Sequence, residues 1–296
     1  MPSTRLSAAL MRATVLELVV LAGHTLLYPT GITGERHPAA GTEPGTATGT
    51  ATGAATGTAA GTAGQSVPAP ASAPAGTTAL PTGHPDRPPV VLLHGFIDNR
   101  SVFVLLRRSL ARHGWHHLES LNYSPLTCDI STAAELLGRH IEEICARTGH
   151  REVDIVGHSL GGLIARYYVQ RLGGDRRVRT LVTLGTPHGG TAVAPLAGAH
   201  PIVRQMRSGS APIEELRLPA PGCRTRFVSF WSELDQVIVP VEAACVDHPD
   251  LDAVNVRVSG VGHLALPVHP AVAAGIRQAL DARSSAQGAE GTASVA

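Results

Sequence analysis

A short segment, Gly-His-Ser-Leu-Gly-Gly at residues 157–162, constrains the fold of this chain more than any other. It follows the run Val-Asp-Ile-Val at residues 153–156 and precedes a stretch with helical spacing. Glycines on both sides of Ser159 permit a turn tight enough for the serine oxygen to stand clear of the backbone. The N-terminus of the following helix would offer free N–H groups to a developing negative charge. The segment therefore predicts a strand–turn–helix unit that presents Ser159 as a nucleophile.

Apolar runs and helical patterns alternate through the second half of the chain. Strands are predicted at residues 88–96, 117–123, 152–156, 178–184, 226–231 and 255–259, and helices at 101–113, 131–148, 160–172 and 270–282. Strands that alternate with helices form a mainly parallel sheet, with right-handed crossovers and helices on both faces. The predicted fold class is α/β. Because such sheets bind ligands outside the carboxyl ends of their strands, we expect functional side chains just past those ends.

Composition divides the 296 residues into four parts. Residues 1–33 contain an apolar segment. Residues 34–86 consist mainly of Gly, Thr, Ala and Pro, which cannot bury enough surface to offset the entropy cost of ordering, so a disordered linker is predicted. Residues 87–284 are long enough for one catalytic domain with a sizeable core. Residues 285–296 are predicted to be a disordered tail.

The N-terminal apolar segment leaves three alternatives open. Arg5 and Arg12 precede it, and Glu17 and His24 interrupt it. It barely reaches the roughly 20 apolar residues of a spanning helix, and it lacks the unbroken centre of a cleaved signal peptide. A membrane anchor or a signal would export the chain, as an anchored or a secreted protein. The third alternative is a helix packed on the catalytic domain.

Candidate partners for Ser159 follow it in the order Asp, His. A serine hydroxyl needs a neighbouring base, and the base needs a carboxylate that fixes its tautomer. His263 lies in a glycine-rich turn after the last strand and is the predicted base. Asp235 follows the strand at 226–231 and is the predicted acid. The weaker alternatives are His158, His188, His248 and His269 for the base, and Glu233, Asp247, Asp250 and Asp252 for the acid.

Two backbone N–H groups are the predicted oxyanion hole. One belongs to Leu160, directly after the candidate nucleophile, and the other to Phe96, directly after His94-Gly95 at the end of the first strand. Main-chain donors in these places can stabilise the charge of a tetrahedral intermediate. The sequence supports their positions rather than their residue types.

Charge and cysteine usage exclude several classes of function. The net charge is +1, all basic residues are scattered Arg, and nothing indicates a nucleic-acid partner. The lack of a Cys-x-x-Cys pair makes a zinc site unexpected, and no other metal or cofactor is predicted. Export would permit a disulfide between Cys223 and Cys245, which flank the Asp235 loop. Cys128 and Cys145 should stay unpaired, because Cys145 would lie about 21 Å along the helix predicted from residue 131.

Several motifs together resemble those of bacterial triacylglycerol lipases and esterases of the α/β-hydrolase superfamily. They are Leu-His-Gly-Phe at 93–96, the segment at 157–162, Gly-Thr-Pro-His-Gly-Gly at 185–190, the Asp235 loop and Gly262-His263. The resemblance covers nearly all of residues 88–282. It implies an α/β-hydrolase fold, with a mainly parallel sheet and helices on both faces.

The same resemblance implies hydrolysis of carboxylic esters through an acyl-enzyme, without a cofactor. The expected substrate is a lipid or other ester, which can lie in a membrane or at a lipid interface, and the expected state is a monomer. An acyltransferase or thioesterase with the same triad is the alternative, and a non-catalytic binding protein on this scaffold is the third. Residues 191–222 should form either a lid or acyl-pocket wall, or a segment packed on the sheet.

Overall fold

One parallel sheet organises the chain. The computed structural model describes residues 11, 14–22, 87–96, 99–121, 129–192 and 200–290. Six strands in these ranges pair in the order β2-β1-β3-β4-β5-β6, and every neighbouring pair is parallel. The strands are β1 (Val90–Leu93), β2 (Leu118–Leu121), β3 (Val153–His158), β4 (Val178–Leu184), β5 (Arg226–Ser232) and β6 (Asp252–Val258). The predicted α/β class with a parallel sheet is confirmed.

Helices cover both faces of the sheet. They are α1 (residues 14–22), α2 (Val104–Arg112), α3 (Ile130–Thr148), α4 (Leu160–Arg171), α5 (Pro201–Gln205), α6 (Ala211–Glu215) and α7 (Pro270–Glu290). Alternate side chains of β1 enter two different core clusters. Val91 and Leu93 join the larger cluster with α3 and α4, whereas Val90 and Leu92 join the smaller cluster with α2 and α7. The strictly alternating sides of a strand therefore give the domain two core layers.

Two helix ends differ from the sequence predictions. A helix was predicted from residue 131, where Ser131 could cap it, but the Asp129 carboxylate accepts the N–H of Thr132 at 2.7 Å and caps the helix two residues earlier. Aspartate is as good a cap as serine, so residue type alone did not separate the two. Helix α7 continues to Glu290, past the predicted domain end at 284 and into the predicted tail. The rest of that tail and the predicted linker at 34–86 lie outside the described residues.

The predicted disulfide between Cys223 and Cys245 is wrong, because both are free thiols. Cys245 follows Ala244, whose carbonyl accepts the hydroxyl of Ser229 in the middle of β5. Cys223 lies before the start of β5, and Ser229 is already about 10 Å beyond that start at the usual rise of a strand. The two thiols therefore lie near different positions along β5, whereas a disulfide needs Cα atoms within about 7 Å of each other. Cys145 is also free, and Cys128 lies outside the described residues.

Residues 200–222 pack into the domain. Their apolar side chains lie in the larger core cluster, and these are Ile202, Val203, Met206, Ile213 and Leu216. Arg166 in α4 supports this segment by donating to the carbonyl of Leu216 at 3.1 Å. Two alternatives were open for residues 191–222, a lid or pocket wall and a segment packed on the sheet. The described part of this segment adopts the packed arrangement. Val193 and Leu196, which were candidates for a lid, lie outside the described residues.

Helix α1 belongs to the same compact unit as residues 87–296. Leu16 and Val20 pack against the smaller core cluster, and the packed helix is one of the three alternatives that the sequence left open. Within the part of the chain that the structure describes, no helix has the length and apolar character needed to cross a membrane.

A buried ion pair ties β3 to β4. Arg179 donates to both carboxylate oxygens of Asp154, at 3.0 and 2.5 Å, and to the carbonyl of Leu280 in α7 at 2.9 Å. The two side chains are 3% and 0% exposed, so neither charge can be solvated if its partner is lost. The pair therefore joins two central strands and a helix through one guanidinium.

We expect Arg179→Ala to lower the free energy of unfolding by about 3–5 kcal/mol, because it leaves the Asp154 carboxylate buried and unpaired. Arg177→Ala is the matched control. It breaks a pair with Glu142 that is largely exposed on both sides, so its cost should be about 1 kcal/mol or less. Urea unfolding of both variants measures the difference. Equal losses would show that burial does not set the strength of the central pair.

Candidate active site

Ser159 lies on a strained turn between β3 and α4. Its φ of 53° and ψ of −120° make it the only non-glycine residue with positive φ among the residues that the structure describes. The backbone around it is held on two sides: its N–H donates to Leu184 at 2.9 Å, and its carbonyl accepts the Thr186 hydroxyl at 3.0 Å. Strain of this kind persists only where surrounding contacts hold it, and it is common where a side chain must be presented to a ligand.

The start of α4 lies directly against the end of β1. A Cβ atom at Gly161 would collide with the carbonyl oxygens of Leu93 and His94, so only glycine permits this approach. The contact brings the N–H of Leu160, which as the first residue of a helix has no acceptor within it, towards the residues that lead to Phe96. Both predicted oxyanion donors therefore lie in segments that meet at the carboxyl edge of the sheet.

Asp235 and His263 form a buried pair. His263 Nδ1 lies 2.7 Å from Asp235 Oδ2, and the side chains are only 4% and 1% exposed. The other carboxylate oxygen accepts the N–H groups of Val237 and Ile238 at 2.8 and 3.0 Å. Asp235 thus fixes the orientation of the imidazole, and backbone donors fix Asp235 in turn.

Hydrogen bonding sets the ionisation of Asp235. Burial of the carboxylate raises its pKa, but attraction to His263 and the hydrogen bonds from His263, Ile238 and Val237 outweigh that effect. The pKa of Asp235 therefore lies below its ordinary value, and the residue is an anion at neutral pH. An anion beside Nδ1 directs the other ring nitrogen, Nε2, to proton transfer.

Gly185 and His158 bring the pair to the Ser159 turn. At Gly185, with φ of 53°, a Cβ atom would lie 3.0 Å from His263 Nδ1 and 3.1 Å from Asp235 Oδ2. The ring of His158 lies 4.9 Å from that of His263, and its Nε2 is 3.3 Å from the His263 carbonyl oxygen. The sequence analysis named His158 only as a weaker candidate for the base and did not predict this contact, because partners 105 positions apart leave no local pattern in the sequence.

The rival candidates have other partners. His188 is bonded to the Thr183 hydroxyl at 3.0 Å, and burial together with Arg166 holds its pKa well below the ordinary value, so it stays neutral in the core. His248 is bonded to the carbonyl of Leu218 at 3.0 Å. Among the acids, Glu233 pairs with Arg257 at 2.9 Å and Asp250 accepts the N–H of Ala220 at 2.7 Å. None of these four contacts involves Ser159 or His263.

The lowered pKa of Asp235 predicts a stability that depends on pH. A depressed pKa in the folded state adds stability above the unfolded value of about 3.8, and this stability is lost as the pH falls through the folded-state pKa. We therefore expect the stability difference between wild type and Asp235→Asn to shrink as the pH falls below about 3.8.

Urea unfolding at a series of pH values checks this expectation. Asp247→Asn, which changes an exposed carboxylate in the same half of the domain, is the matched control and should follow the wild type. A gap between wild type and Asp235→Asn that stays the same down to pH 2.5 would contradict the assignment of Asp235 as a stabilised anion.

Comparisons with known proteins identify the fold. A family model described as alpha/beta hydrolase fold matches residues 88–209. Triacylglycerol lipases from Pseudarthrobacter phenanthrenivorans and Burkholderia plantarii are each 30% identical over 116 residues, which is 36% of this chain and 35% and 32% of theirs. The chain therefore spans about a third of the length of the curated relatives that it matches.

Solved structures agree on the architecture. Aspergillus fumigatus lipase B has a TM-score of 0.56 at 16% identity, over 63% of this chain and 51% of its own. The mature form of Bacillus licheniformis lipase BlEst2 has a TM-score of 0.53 at 16% identity, over 66% of this chain and 95% of its own. This chain therefore has the α/β-hydrolase fold, and about a third of its sequence is similar to bacterial triacylglycerol lipases.

Proposed function

We propose that this protein is a serine hydrolase that cleaves carboxylic esters of lipids. The observation that carries the proposal is the buried Asp235–His263 pair, which lies at the same edge of the sheet as the strained turn of Ser159. The similarity to triacylglycerol lipases supports an ester as the substrate. In this proposal Ser159 is the nucleophile, His263 the base and Asp235 the orienting acid.

The first half of the reaction forms an acyl-enzyme. Ser159 Oγ attacks the ester carbonyl while Nε2 of His263 takes its proton. The N–H groups of Phe96 and Leu160 donate to the oxyanion of the tetrahedral intermediate. Asp235 stays ionised and stabilises the imidazolium. The intermediate collapses as the imidazolium gives its proton to the leaving alcohol, so the C–O bond of the ester breaks and an acyl–Ser159 ester remains.

The second half repeats the same steps with water. His263 takes a proton from the water as the oxygen attacks the acyl carbon, and the same two N–H groups stabilise the second oxyanion. When this intermediate collapses, His263 returns the proton to Ser159 Oγ. The carboxylic acid leaves, and the enzyme regains its starting state without a cofactor.

We expect Ser159→Ala to lower kcat for p-nitrophenyl esters by about 10³-fold or more, because no other group can form the acyl-enzyme. Esters from short to long acyl chains should be assayed. Ser208→Ala is the matched control, since its hydroxyl is exposed and bonded to the carbonyl of Gly189. This control should keep wild-type turnover, and a fluorophosphonate should label the wild type but not Ser159→Ala.

Other outcomes of the same assay separate the alternatives. Turnover of thioesters, or acyl transfer to an added alcohol, that exceeds ester hydrolysis and still depends on Ser159 would identify a thioesterase or an acyltransferase. Failure of the fluorophosphonate to label Ser159 in folded protein would reject the hydrolase and leave a binding protein.

We further propose that the enzyme is an exported monomer that works at a lipid interface. The outward side of α1 supports this, because it exposes apolar side chains by 44–62% at Val15, Leu18, Val19 and Leu21. Arg5 and Arg12 precede these residues in the sequence. An apolar helix face beside basic residues is the pattern of a helix that lies in the interface plane of a membrane.

Vesicle binding tests the interface. Replacing Val15 and Val19 together by Ser should reduce sedimentation with anionic phospholipid vesicles by about tenfold, because burial of two large apolar side chains is lost. Turnover of a water-soluble short-chain ester should not change. Equal sedimentation of the double variant and the wild type would reject α1 as the lipid-binding face.

A further inference from the structure

Glu17 in α1 binds the loop that carries His263. Its Oε2 accepts the N–H of Leu264 at 3.1 Å, and its Oε1 accepts the N–H of Ala265 at 3.0 Å. The two donors are the first and second residues after the candidate base. A single carboxylate therefore holds two consecutive backbone donors of the His263 loop, and it does so from the opposite end of the sequence.

Apolar packing on both sides of His263 supports this contact. Leu16 and Val20, which flank Glu17 on the inward side of α1, pack against the smaller core cluster. That cluster contains Val261, Ala265 and Leu266, which precede and follow His263. The helix is thus fixed to the loop by side-chain packing as well as by the carboxylate.

The loop is shaped to receive this carboxylate. A Cβ atom at Gly262 would lie 2.5 Å from Glu17 Oε1, so a side chain at this position would displace the carboxylate. Between Arg12 and Glu35, Glu17 is the one residue that is Asp, Glu, Lys or Arg. The single charge in this apolar stretch is directed at the active-site loop.

Other side chains form hydrogen bonds with the loop at and before His263. The Ser232 hydroxyl donates to the carbonyl of Val261, and His158 lies within hydrogen-bond distance of the carbonyl of His263. Both act on carbonyl oxygens at or before the base. Hydrogen bonds from N–H groups to a carboxylate are stronger than neutral ones, so the Glu17 contact restrains the residues that follow.

We propose that Glu17 is a positioning residue for His263, and that the N-terminal segment is a retained part of the catalytic unit. The inference rests on the proposed role of His263. Glu17 does not touch the reacting atoms; it fixes the backbone of Leu264 and Ala265, and through it the imidazole. A displacement of about 1 Å at a catalytic group can lower a rate by about 10²-fold, so a loop contact of this kind matters for turnover.

The test compares variants of the full chain in the hydrolysis of a short-chain p-nitrophenyl ester. Glu17→Ala removes both acceptors, and we expect kcat to fall about 10- to 100-fold with KM unchanged. Glu17→Gln keeps one acceptor oxygen at the same length and should recover part of that loss. The rate at which a fluorophosphonate labels Ser159 should fall in the same proportion as kcat.

Two controls separate positioning from stability. Glu135→Ala makes the same change on an exposed side of α3 and should leave kcat within twofold of the wild type. Leu16→Ala weakens the packing of α1 but keeps the carboxylate. It should therefore lower the free energy of unfolding by more than it raises the activation free energy calculated from kcat. If Glu17→Ala does not fold, the kcat of Glu17→Gln relative to the wild type tests the positioning role by itself.

An NMR measurement is independent of turnover. The proton between His263 Nδ1 and Asp235 should give a downfield resonance in the wild type, which should shift or broaden in the Glu17 variants and persist in Glu135→Ala. A wild-type resonance and kcat in both Glu17 variants would overturn the positioning role. Recovery of active enzyme whose N-terminal sequence begins after residue 17 would also overturn it.

If the wild type shows no Ser159-dependent turnover, the proposed function fails. The resonance then decides the positioning role separately, because it reports the geometry of the Asp235–His263 pair in the absence of any substrate.

Discussion

The arrangement at the carboxyl edge of the sheet depends on one constraint, which is the close contact between the backbone of α4 and the backbone at the end of β1. The first turn of α4 lies against the carbonyl oxygens that end β1, with no space for a side chain at Gly161. At Gly185 the side chains of the Asp235–His263 pair approach the backbone instead, at 3.0 and 3.1 Å from where a Cβ atom would lie. These approaches bring the ends of non-neighbouring strands within reach of one reacting centre. A methyl group added at Gly161 would push α4 away from the end of β1. The glycine therefore determines the distances at which the functional side chains lie.

Buried hydrogen bonds and ion pairs then hold the side chains at this edge in fixed orientations. Asp235 is held by two backbone N–H groups before it holds His263. Deeper in the domain, Arg179 joins Asp154 to the middle of α7 through the same kind of charge-assisted bond. Partnered groups of this type specify one arrangement, because each alternative leaves a donor or acceptor unsatisfied in a medium of low dielectric. The site and the core are thus organised by the same rule.

Local sequence patterns predicted the parts of the fold that depend on neighbours in the chain. The apolar run of β4 was predicted at the bounds that the structure has, because all seven of its residues are buried. The start of α3 was missed by two residues because Asp129 and Ser131 can both cap a helix. The predicted disulfide was wrong because the number of residues between Cys223 and Cys245 does not determine where along β5 each of them lies. The contacts of His158 and Glu17 with the His263 loop join residues 105 and more positions apart, and no local pattern encodes them.

The distance along the chain between Glu17 and its partners also affects the order of folding. Glu17 leaves the ribosome 247 residues before Leu264 does, which at ordinary rates of synthesis is about 10–50 s. During that time the apolar side of α1 has no loop to pack on and stays accessible to any apolar surface or targeting factor. The inward side of α1 is therefore covered only when residues 261–266 are made, so this helix is synthesised first but packs late.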